Sequence, residues 1–290
     1  MKIAVSSYSF QALIQAGAMT QLDCVQAAKR LGFDAVEFIG LQPHDSSAPA
    51  EYAERIREES ERCGLPVSNY TIAADFLTGS GGDLQREIER LYGEVDMAVR
   101  LGSRSMRHDA SGGYPAEQRS WRGFEQALPR LAEGCRKVTE YAVQQGVRTM
   151  VENHGFFCQD SDRVEKLINT VAHDNFGWLV DMGNFLCADE DPAKAVGRAA
   201  PYAFYVHGKD FLVKSGMEPD PGSGFFRSRG GAYLRGTVVG HGNVPVRQCL
   251  AALKGAGYDG YIGLEFEGVE PTEWALRTGL ENLRRAIEAI

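Results

Sequence analysis

Four short apolar stretches in the second half of the chain each end in an acidic or imidazole side chain. These side chains are Glu152, Asp181, His207 and Glu265. An apolar run that stops at polar residues is typical of a buried parallel strand opening at the mouth of an α/β barrel. Three carboxylates around one imidazole would repel one another without a cation between them. Their mixed oxygen and nitrogen atoms suit Mn²⁺, Mg²⁺, Co²⁺ or Zn²⁺, so the residue types predict one divalent metal ion.

The spacing of these four residues supports a common site. Glu152 and Asp181, and then Asp181 and His207, are each separated by the roughly 30 residues of one strand-helix unit. Glu265 follows after one further unit and one irregular segment. Side chains at the ends of consecutive parallel strands are neighbours across the mouth of a barrel.

The elements that must carry these residues alternate between strand-like and helix-like patterns. The predicted strands cover 3–7, 35–39, 67–71, 105–108, 149–152, 177–181, 203–207 and 261–265. The predicted helices cover about 20–31, 49–63, 83–101, 117–145, 161–171, 192–199, 246–256 and 272–290. Eight such pairs predict an α/β fold, a single (β/α)8 TIM barrel forming one domain over residues 1–290.

The alternation breaks at residues 211–243, which are rich in Gly, Pro, Ser and Arg and have no period. This segment is predicted to be an irregular loop after strand seven. A loop of that length in a compact domain is usually functional. Its position over the barrel mouth leaves two interpretations open, a lid or a subunit contact.

Composition narrows the classes of function and the compartment. The net charge of −8, without a basic cluster, argues against a nucleic-acid partner. The six cysteines are scattered without CxxC pairs, which favours a reduced, cytoplasmic location. No apolar run reaches the roughly 18 residues of a membrane span, and Met1 leads directly into a strand, so neither membrane insertion nor secretion is expected.

Polar side chains next to the predicted ligands are candidates for substrate binding. His154 lies two residues after Glu152, so both side chains point the same way if the strand continues; the alternative is a surface histidine in a loop. Lys209 and Asp210 follow His207 and are expected to support the metal ligands.

Further candidates come from the first half of the chain. His108 ends strand four and is predicted to reach the substrate if the strand register is right. Glu37 at strand two has the same dependence on register. Tyr8, after strand one, is predicted to contact the substrate as part of the pocket wall. Trp178 is a candidate for the pocket wall, although an aromatic residue near a barrel strand is more often in the core.

Four motifs carry a resemblance to a known family. They are ENHG at 152–155, DMGN at 181–184, HGKD at 207–210 and EFEG at 265–268. Together they resemble the sugar phosphate isomerase/epimerase superfamily with a xylose isomerase-like TIM barrel, and their pattern is most similar to ketose 3-epimerases. The resemblance implies that Glu152, Asp181, His207 and Glu265 hold the metal and that the two glutamates act as acid and base. It also implies a small-molecule sugar substrate and a homo-oligomer, either dimer or tetramer.

Two further residues follow from this resemblance. Arg235, in a glycine-containing stretch, is similar to an arginine that the family places over the sugar, and its alternative is an ordinary loop arginine. Asn184 stands where many epimerases have histidine, and its amide can still bind a sugar hydroxyl. The endonuclease branch of the superfamily needs additional histidines, including at positions 184 and 235, and is therefore disfavoured.

The predicted chemistry is proton removal from a carbon beside a carbonyl. This step produces an enediolate, whose charge a divalent ion stabilises. Epimerisation needs Glu152 and Glu265 on opposite faces of the substrate, whereas aldose-ketose isomerisation needs one base, and the residue types do not separate them. The alternatives are an inosose dehydratase-type lyase and a non-catalytic sugar-binding barrel.

Overall fold

The computed structural model describes all 290 residues and contains a closed barrel of parallel strands. The strands are β1 Lys2–Ser6, β2 Ala35–Ile39, β3 Val67–Ile72, β4 Ser105–His108, β5 Arg148–Glu152, β6 Phe176–Asp181, β7 Ala203–Gly208, β8 Asp210–Lys214, β9 Phe226–Arg227, β10 Tyr233–Thr237 and β11 Tyr261–Leu264. Strands β1 to β7 and β11 form the barrel, and parallel pairing of β11 with β1 closes it. The predicted (β/α)8 fold is confirmed.

Helices cover the outside of the barrel. They are α1 Gln11–Gln15, α2 Asp23–Leu31, α3 Pro49–Cys63, α4 Leu84–Arg100, α5 Phe124–Gln144, α6 Ser161–Val171, α7 Pro192–Ala199, α8 Val246–Gly255 and α9 Thr272–Glu288. Helices α3, α6 and α7 have the predicted bounds. None of the helices has the length and apolar character needed to cross a membrane.

Helix α5 begins at Phe124 rather than near residue 117. Residues Ala116–Gln118 form a separate 3₁₀ turn. The backbone N–H of Gly123 donates to Gln126 Oε1 at 3.0 Å, which caps the start of the helix. A local cap therefore sets this boundary, and the helical pattern of the preceding residues does not.

The barrel interior consists of an apolar layer below a polar one. Alternate residues of each strand point inward. The apolar layer is Ala4, Ala35, Met150, Leu179 and Tyr205. The inward residues two positions later on the same strands are Ser6, Glu37, Glu152, Asp181 and His207, all of them buried. The main apolar core lies between barrel and helices, so the polar layer is held between packed surfaces.

Residues 211–243 were predicted to form an irregular loop, and this prediction is wrong. They contribute most of a small antiparallel sheet. Strand β10 pairs with β8 on one side and with β9 on the other. The Asp210 carboxylate accepts the backbone N–H groups of Gly240 and Gly242 at 2.9 Å and of Val244 at 3.0 Å, which returns the chain towards the barrel. These strands were not predicted for two reasons. The segment is rich in glycine, and each strand pairs with its neighbour over only a few residues.

Candidate metal centre

The four predicted ligands meet at the C-terminal end of the barrel. One ligand atom from each of Glu152, Asp181, His207 and Glu265 lies within 4.8 Å of the others, and all four side chains are buried. His207 Nδ1 is 3.7 Å from Glu152 Oε1. It is 3.6 Å from Asp181 Oδ2 and 3.6 Å from Glu265 Oε2. Four strands thus bring three oxygens around one imidazole nitrogen.

Two of these atoms have no hydrogen-bond partner in the protein. Asp181 Oδ2 and His207 Nδ1 are both buried without a hydrogen bond, and Lys209 Nζ lies 3.5 Å from Asp181 Oδ2. The other carboxylate oxygen, Asp181 Oδ1, accepts the N–H groups of Gly183 at 2.8 Å and Asn184 at 2.9 Å. Leaving a buried polar atom unpaired costs about 1–3 kcal/mol. A divalent cation coordinated by Asp181 Oδ2 and His207 Nδ1 would remove both penalties, so the donor set fits a metal ion.

Asn153 ties together the two strands that carry Glu152 and Asp181. Its Nδ2 donates to the Asp181 carbonyl at 2.9 Å. Its Oδ1 accepts from the Asp181 N–H at 3.0 Å and from Trp178 Nε1 at 3.1 Å. Trp178 was predicted as a candidate for the pocket wall, but it is fully buried and its indole N–H holds the Asn153 side chain in position. Sequence reasoning missed the role of Asn153, although it lies within the ENHG motif.

Each glutamate of the site has a buried cation beside it. Arg107 Nε lies 2.6 Å from Glu152 Oε2, without the N–H alignment of a hydrogen bond, so the contact is chiefly ionic. Lys209 Nζ lies 2.6 Å from Glu265 Oε2. Burial opposes ionisation of both carboxyl groups. Arg107 and His207 beside Glu152, and Lys209 and His207 beside Glu265, outweigh it and hold the pKa of each glutamate below its usual value. Both glutamates are therefore ionised at neutral pH, as metal ligands must be.

Asn184 lies between the two glutamates and is buried. Its Nδ2 donates to Glu152 Oε1 at 2.9 Å. Its Oδ1 is 3.4 Å from Lys209 Nζ. The amide predicted to bind substrate is therefore hydrogen-bonded within the protein, to Glu152 and to the cation beside Glu265.

A cavity of about 510 Å³ opens above the four ligands. The predicted residues Tyr8, His154 and Lys209 line it, together with Glu152 and Glu265. Sequence reasoning did not identify five other charged residues in its wall, which are Arg90, Glu94, Arg107, Asp109 and Glu267. The two-residue period of a strand could have identified two of them. Arg107 is next to His108 on β4 and therefore points to the opposite face, and Glu267 lies two residues after Glu265.

His154 and Asp109 form a pair at the rim of this cavity. His154 Nδ1 lies 2.9 Å from Asp109 Oδ1, and half of the histidine side chain is exposed. Burial opposes the charge of His154, but Asp109 raises its pKa above the usual value. Asp109 also contacts Arg107 Nη2 at 2.8 Å. A chain of charged groups therefore links His154 to Glu152.

Three predicted substrate residues, His108, Asn184 and Arg235, do not line the cavity. The register of β4 with β3 puts Arg107 beside Thr71, on the interior face, so His108 points outward. His108 packs between the rings of Phe76 and Phe176.

Arg235 belongs to the small sheet. Its Nη2 is 3.3 Å from Glu270 Oε1, and its guanidinium lies over the ring of Phe225. The prediction that Arg235 covers the sugar would therefore require this ion pair to open.

Comparison with known proteins identifies the family. A family model described as xylose isomerase-like TIM barrel matches residues 25–286. The chain belongs to this family. It is 26% identical over 155 residues to an inosose dehydratase of Lacticaseibacillus casei, a match that spans about half the length of either protein, 51% of each. It is also 25% identical over an alignment of 318 residues to the rhizopine catabolism protein MocC of Rhizobium meliloti, covering 100% of this chain and 89% of that protein.

Solved structures of xylose isomerase-like barrels share the fold. A D-tagatose 3-epimerase-like protein superposes with a TM-score of 0.73 at 17% identity, covering 100% of this chain and 98% of that one. An L-ribulose 3-epimerase gives a TM-score of 0.72 at 18% identity, with coverage of 99% and 95%. A barrel from Mycobacterium smegmatis in complex with magnesium gives 0.71 at 18% identity, with coverage of 99% and 97%. The resemblance to the xylose isomerase-like TIM barrel family is confirmed, and the fold is shared with an L-ribulose 3-epimerase and a D-tagatose 3-epimerase-like protein.

Proposed function

We propose that the protein is a divalent-metal-dependent isomerase or epimerase that acts on a ketose or related polyol by proton transfer. The observation that carries this proposal is the convergence of two ionised glutamates on one point. Glu152 Oε1 and Glu265 Oε2 lie 3.7 Å and 3.6 Å from the same atom, His207 Nδ1. They come from strand ends on different sides of His207, so they can approach a bound substrate from different directions.

Glu152, Asp181, His207 and Glu265 would hold the metal ion. When bound, such an ion stabilises the negative charge that develops on the substrate oxygens as a proton leaves the neighbouring carbon. The ligand types admit Mn²⁺, Mg²⁺, Co²⁺ or Zn²⁺ and do not select one of them.

The chain's own residues supply the proton transfer. In epimerisation one glutamate accepts the substrate proton on its carboxylate, while the other takes up a proton from water in the cavity and delivers it to the opposite face; release of the first proton to water restores both carboxylates. Arg107 beside Glu152 and Lys209 beside Glu265 keep both carboxylates ionised before substrate binds. The ammonium group of Lys209 is also within 3.5 Å of Glu267 in the cavity wall, where it can donate to a substrate oxygen.

The charge of the cavity favours an uncharged sugar. Its wall carries five carboxylates, those of Glu94, Asp109, Glu152, Glu265 and Glu267, and three permanently cationic side chains, those of Arg90, Arg107 and Lys209. A divalent cation balances this excess of acidic groups. A phosphate ester would add uncompensated negative charge, so a free polyol is the better match.

Solvent hydrogen exchange tests the acid and base assignment. E152Q and E265Q keep the size of each side chain but remove its ability to accept a proton. We expect each variant to lose exchange of substrate hydrogen with deuterated water by a factor of roughly 100 or more. The control is E59Q, which changes a half-buried glutamate on α3 that is hydrogen-bonded to Gln26 and Arg62 and lies outside the cavity wall. Near-native exchange in E152Q and in E265Q, with metal content retained, would refute the assignment.

A dehydratase is the second candidate, and the His154–Asp109 pair favours it. An oriented imidazole and the Lys209 ammonium group face one cavity, which supplies a base and an acid for loss of water. Product mass separates the two activities, because only the lyase product has lost water. H154Q should then abolish product formation by a lyase and reduce an epimerase much less. A non-catalytic sugar-binding barrel would bind metal and sugar and show neither exchange nor water loss.

A further inference from the structure

The imidazole of His207 makes a second contact on the side away from the other ligands. His207 Nε2 lies 2.7 Å from Glu37 Oε2, and both side chains are fully buried. A carboxylate can only accept a hydrogen bond, so the proton of this contact is on Nε2. His207 Nδ1 is then the ring nitrogen that faces Glu152, Asp181 and Glu265.

Glu37 is itself held by two donors. Its Oε1 accepts from Asn69 Nδ2 at 2.8 Å and from Thr71 Oγ1 at 2.7 Å. The orientation of the Asn69 amide is set in turn by Ser105, whose Oγ donates to Asn69 Oδ1 at 2.8 Å. Three neighbouring strands, β2, β3 and β4, therefore fix the direction of the Glu37 carboxylate towards β7.

A glycine makes room for the contact between Glu37 and His207. A Cβ atom at Gly263 of β11 would lie 3.0 Å from Glu37 Oε2 and 3.1 Å from His207 Cδ2. It would also lie 2.9 Å from Tyr205 Cε1. Such distances are too short for unstrained contacts, so any side chain at position 263 would push the pair apart.

We infer that Glu37 is a positioning residue for the metal site, which orients His207 and holds its Nε2 proton so that Nδ1 is the ligand atom. The inference rests on the metal site of the proposed function and extends it to a residue without direct contact to the ion. Substitution of a residue that hydrogen-bonds to a metal-bound histidine typically weakens metal binding by 10- to 100-fold.

Replacing Glu37 with glutamine should disturb this arrangement. A glutamine has one accepting and one donating end, whereas Glu37 faces the Nε2–H of His207 on one side and two donors on the other. If the amide NH₂ faces His207, the imidazole proton moves to Nδ1 and blocks the ligand atom. If it faces Asn69 and Thr71, those donors lose their acceptor.

The test is Mn²⁺ affinity, measured by calorimetry on the purified full-length chain after removal of bound metal. We expect wild type to bind about one ion and E37Q to bind it roughly 10- to 100-fold more weakly. The visible spectrum of the Co²⁺-loaded protein should change as well, because the imidazole is displaced from its coordinating position. The matched control is E87Q, the same substitution at a buried glutamate whose partners are Asp75, Ser80 and Arg90.

The possible results separate this inference from the proposed function. If wild type binds no divalent ion, the metal site and the role of Glu37 both fail. If wild type binds Mn²⁺ and E37Q binds it as tightly as E87Q does, only the role of Glu37 fails. Thermal unfolding of the metal-free proteins shows whether E37Q is folded.

Two further variants keep the inference testable if E37Q does not fold. N69A removes a donor to Glu37 and G263A crowds the pair of Glu37 and His207, while neither substitution replaces Glu37 or a predicted metal ligand. We expect each to weaken Mn²⁺ binding by roughly tenfold. Wild-type affinity in both folded variants would overturn the inference.

Discussion

Adjacent residues of β4 have opposite environments because their side chains point to opposite faces of the barrel. Arg107 points inward and contacts Glu152, whereas His108 points outward and packs between Phe76 and Phe176. A histidine at a strand end is a reasonable substrate ligand by residue type alone. The side of the strand from which the side chain projects decides whether it reaches the cavity. The His108 side chain projects away from the barrel interior and is part of the core.

Burial gives His108 an effect on stability that depends on pH. Desolvation lowers its pKa from 6.5 to about 4, assisted by the charge of Arg107 and opposed by the Asp109 carbonyl. Between these values the unfolded chain binds a proton that the folded chain does not. The stabilising contribution of neutral His108 is therefore complete above about pH 6.5 and is lost as the pH falls towards about 4.

We expect H108Q to reduce the pH dependence of unfolding. Wild type should lose about 2 kcal/mol through this histidine between pH 7 and pH 5, and H108Q should lack that loss. Urea unfolding at the two pH values measures the difference, and H44Q, a change at a histidine in the loop after β2, is the control. An equal drop in wild type and H108Q would show that His108 is not the group responsible.

At the scale of secondary structure, Asp210 connects the barrel to the small sheet. Sequence reasoning paired it with Lys209 as a support for the metal ligands. Lys209 does contact Glu265, but the carboxylate of Asp210 is taken up by backbone N–H groups between residues 240 and 244. Lys209 and Asp210, which are adjacent in the HGKD motif, therefore have different roles: Lys209 contacts Glu265 at the barrel mouth, and Asp210 holds the small sheet.

Removing the Asp210 carboxylate should release the small sheet while the barrel stays folded. D210A leaves the N–H groups of Gly240, Gly242 and Val244 without their acceptor, which we expect to lower the free energy of unfolding by about 3 kcal/mol. Limited proteolysis should then cut faster between residues 215 and 232. D220A removes a single exposed hydrogen bond to Gly222 in the same segment and is the control. Equal cleavage of D210A and wild type would contradict the role of Asp210.

The small sheet also lies against one wall of the cavity. A Cβ at Gly236 would come within 2.7 Å of the Glu267 carbonyl, so β10 packs directly on the backbone that carries Glu267. The segment predicted as a lid or subunit contact therefore supports the cavity wall. Its pairing was not predictable, because β9 has only two residues and the partners β8 and β10 are separated by a long glycine-rich connection.

At the scale of the whole molecule, the barrel gathers acidic side chains that no local interaction would bring together. Glu152 and Glu265 are more than a hundred residues apart along the chain, yet both lie beside His207. Closing the barrel places them there at an electrostatic cost, which Arg107 and Lys209 reduce and a cation would reduce further.

Metal binding should therefore stabilise the whole fold. At free Mn²⁺ about 100 times the dissociation constant, linkage predicts about 2.7 kcal/mol, or a rise of roughly 5–10 °C in Tm. The variant E152Q/D181N/H207Q/E265Q should show no such rise, and a chelator should reverse it in wild type. An equal Mn²⁺ response in both proteins would mean that the ion binds elsewhere. Scanning calorimetry with and without Mn²⁺ measures these shifts.

The sequence alone determined the barrel and the four polar side chains that converge at the C-terminal end of its strands. Both depend on local signals that repeat along the chain, namely apolar strands ending in polar residues and helices of regular length between them. Capping and glycine signals also located most helix ends, as at α3 with Gly64. The start of α5 was misplaced because its capping contact competes with a helical pattern that continues upstream.

The tertiary structure decided which charged side chains surround the four convergent residues Glu152, Asp181, His207 and Glu265. The pairs of Arg107 with Glu152, Lys209 with Glu265 and Glu37 with His207 depend on strand register, and a shift of one residue would turn each side chain to the opposite face of the barrel. Residue type and spacing do not contain that register. It follows from closing eight strands into a barrel whose interior must be filled, which is a property of the whole chain.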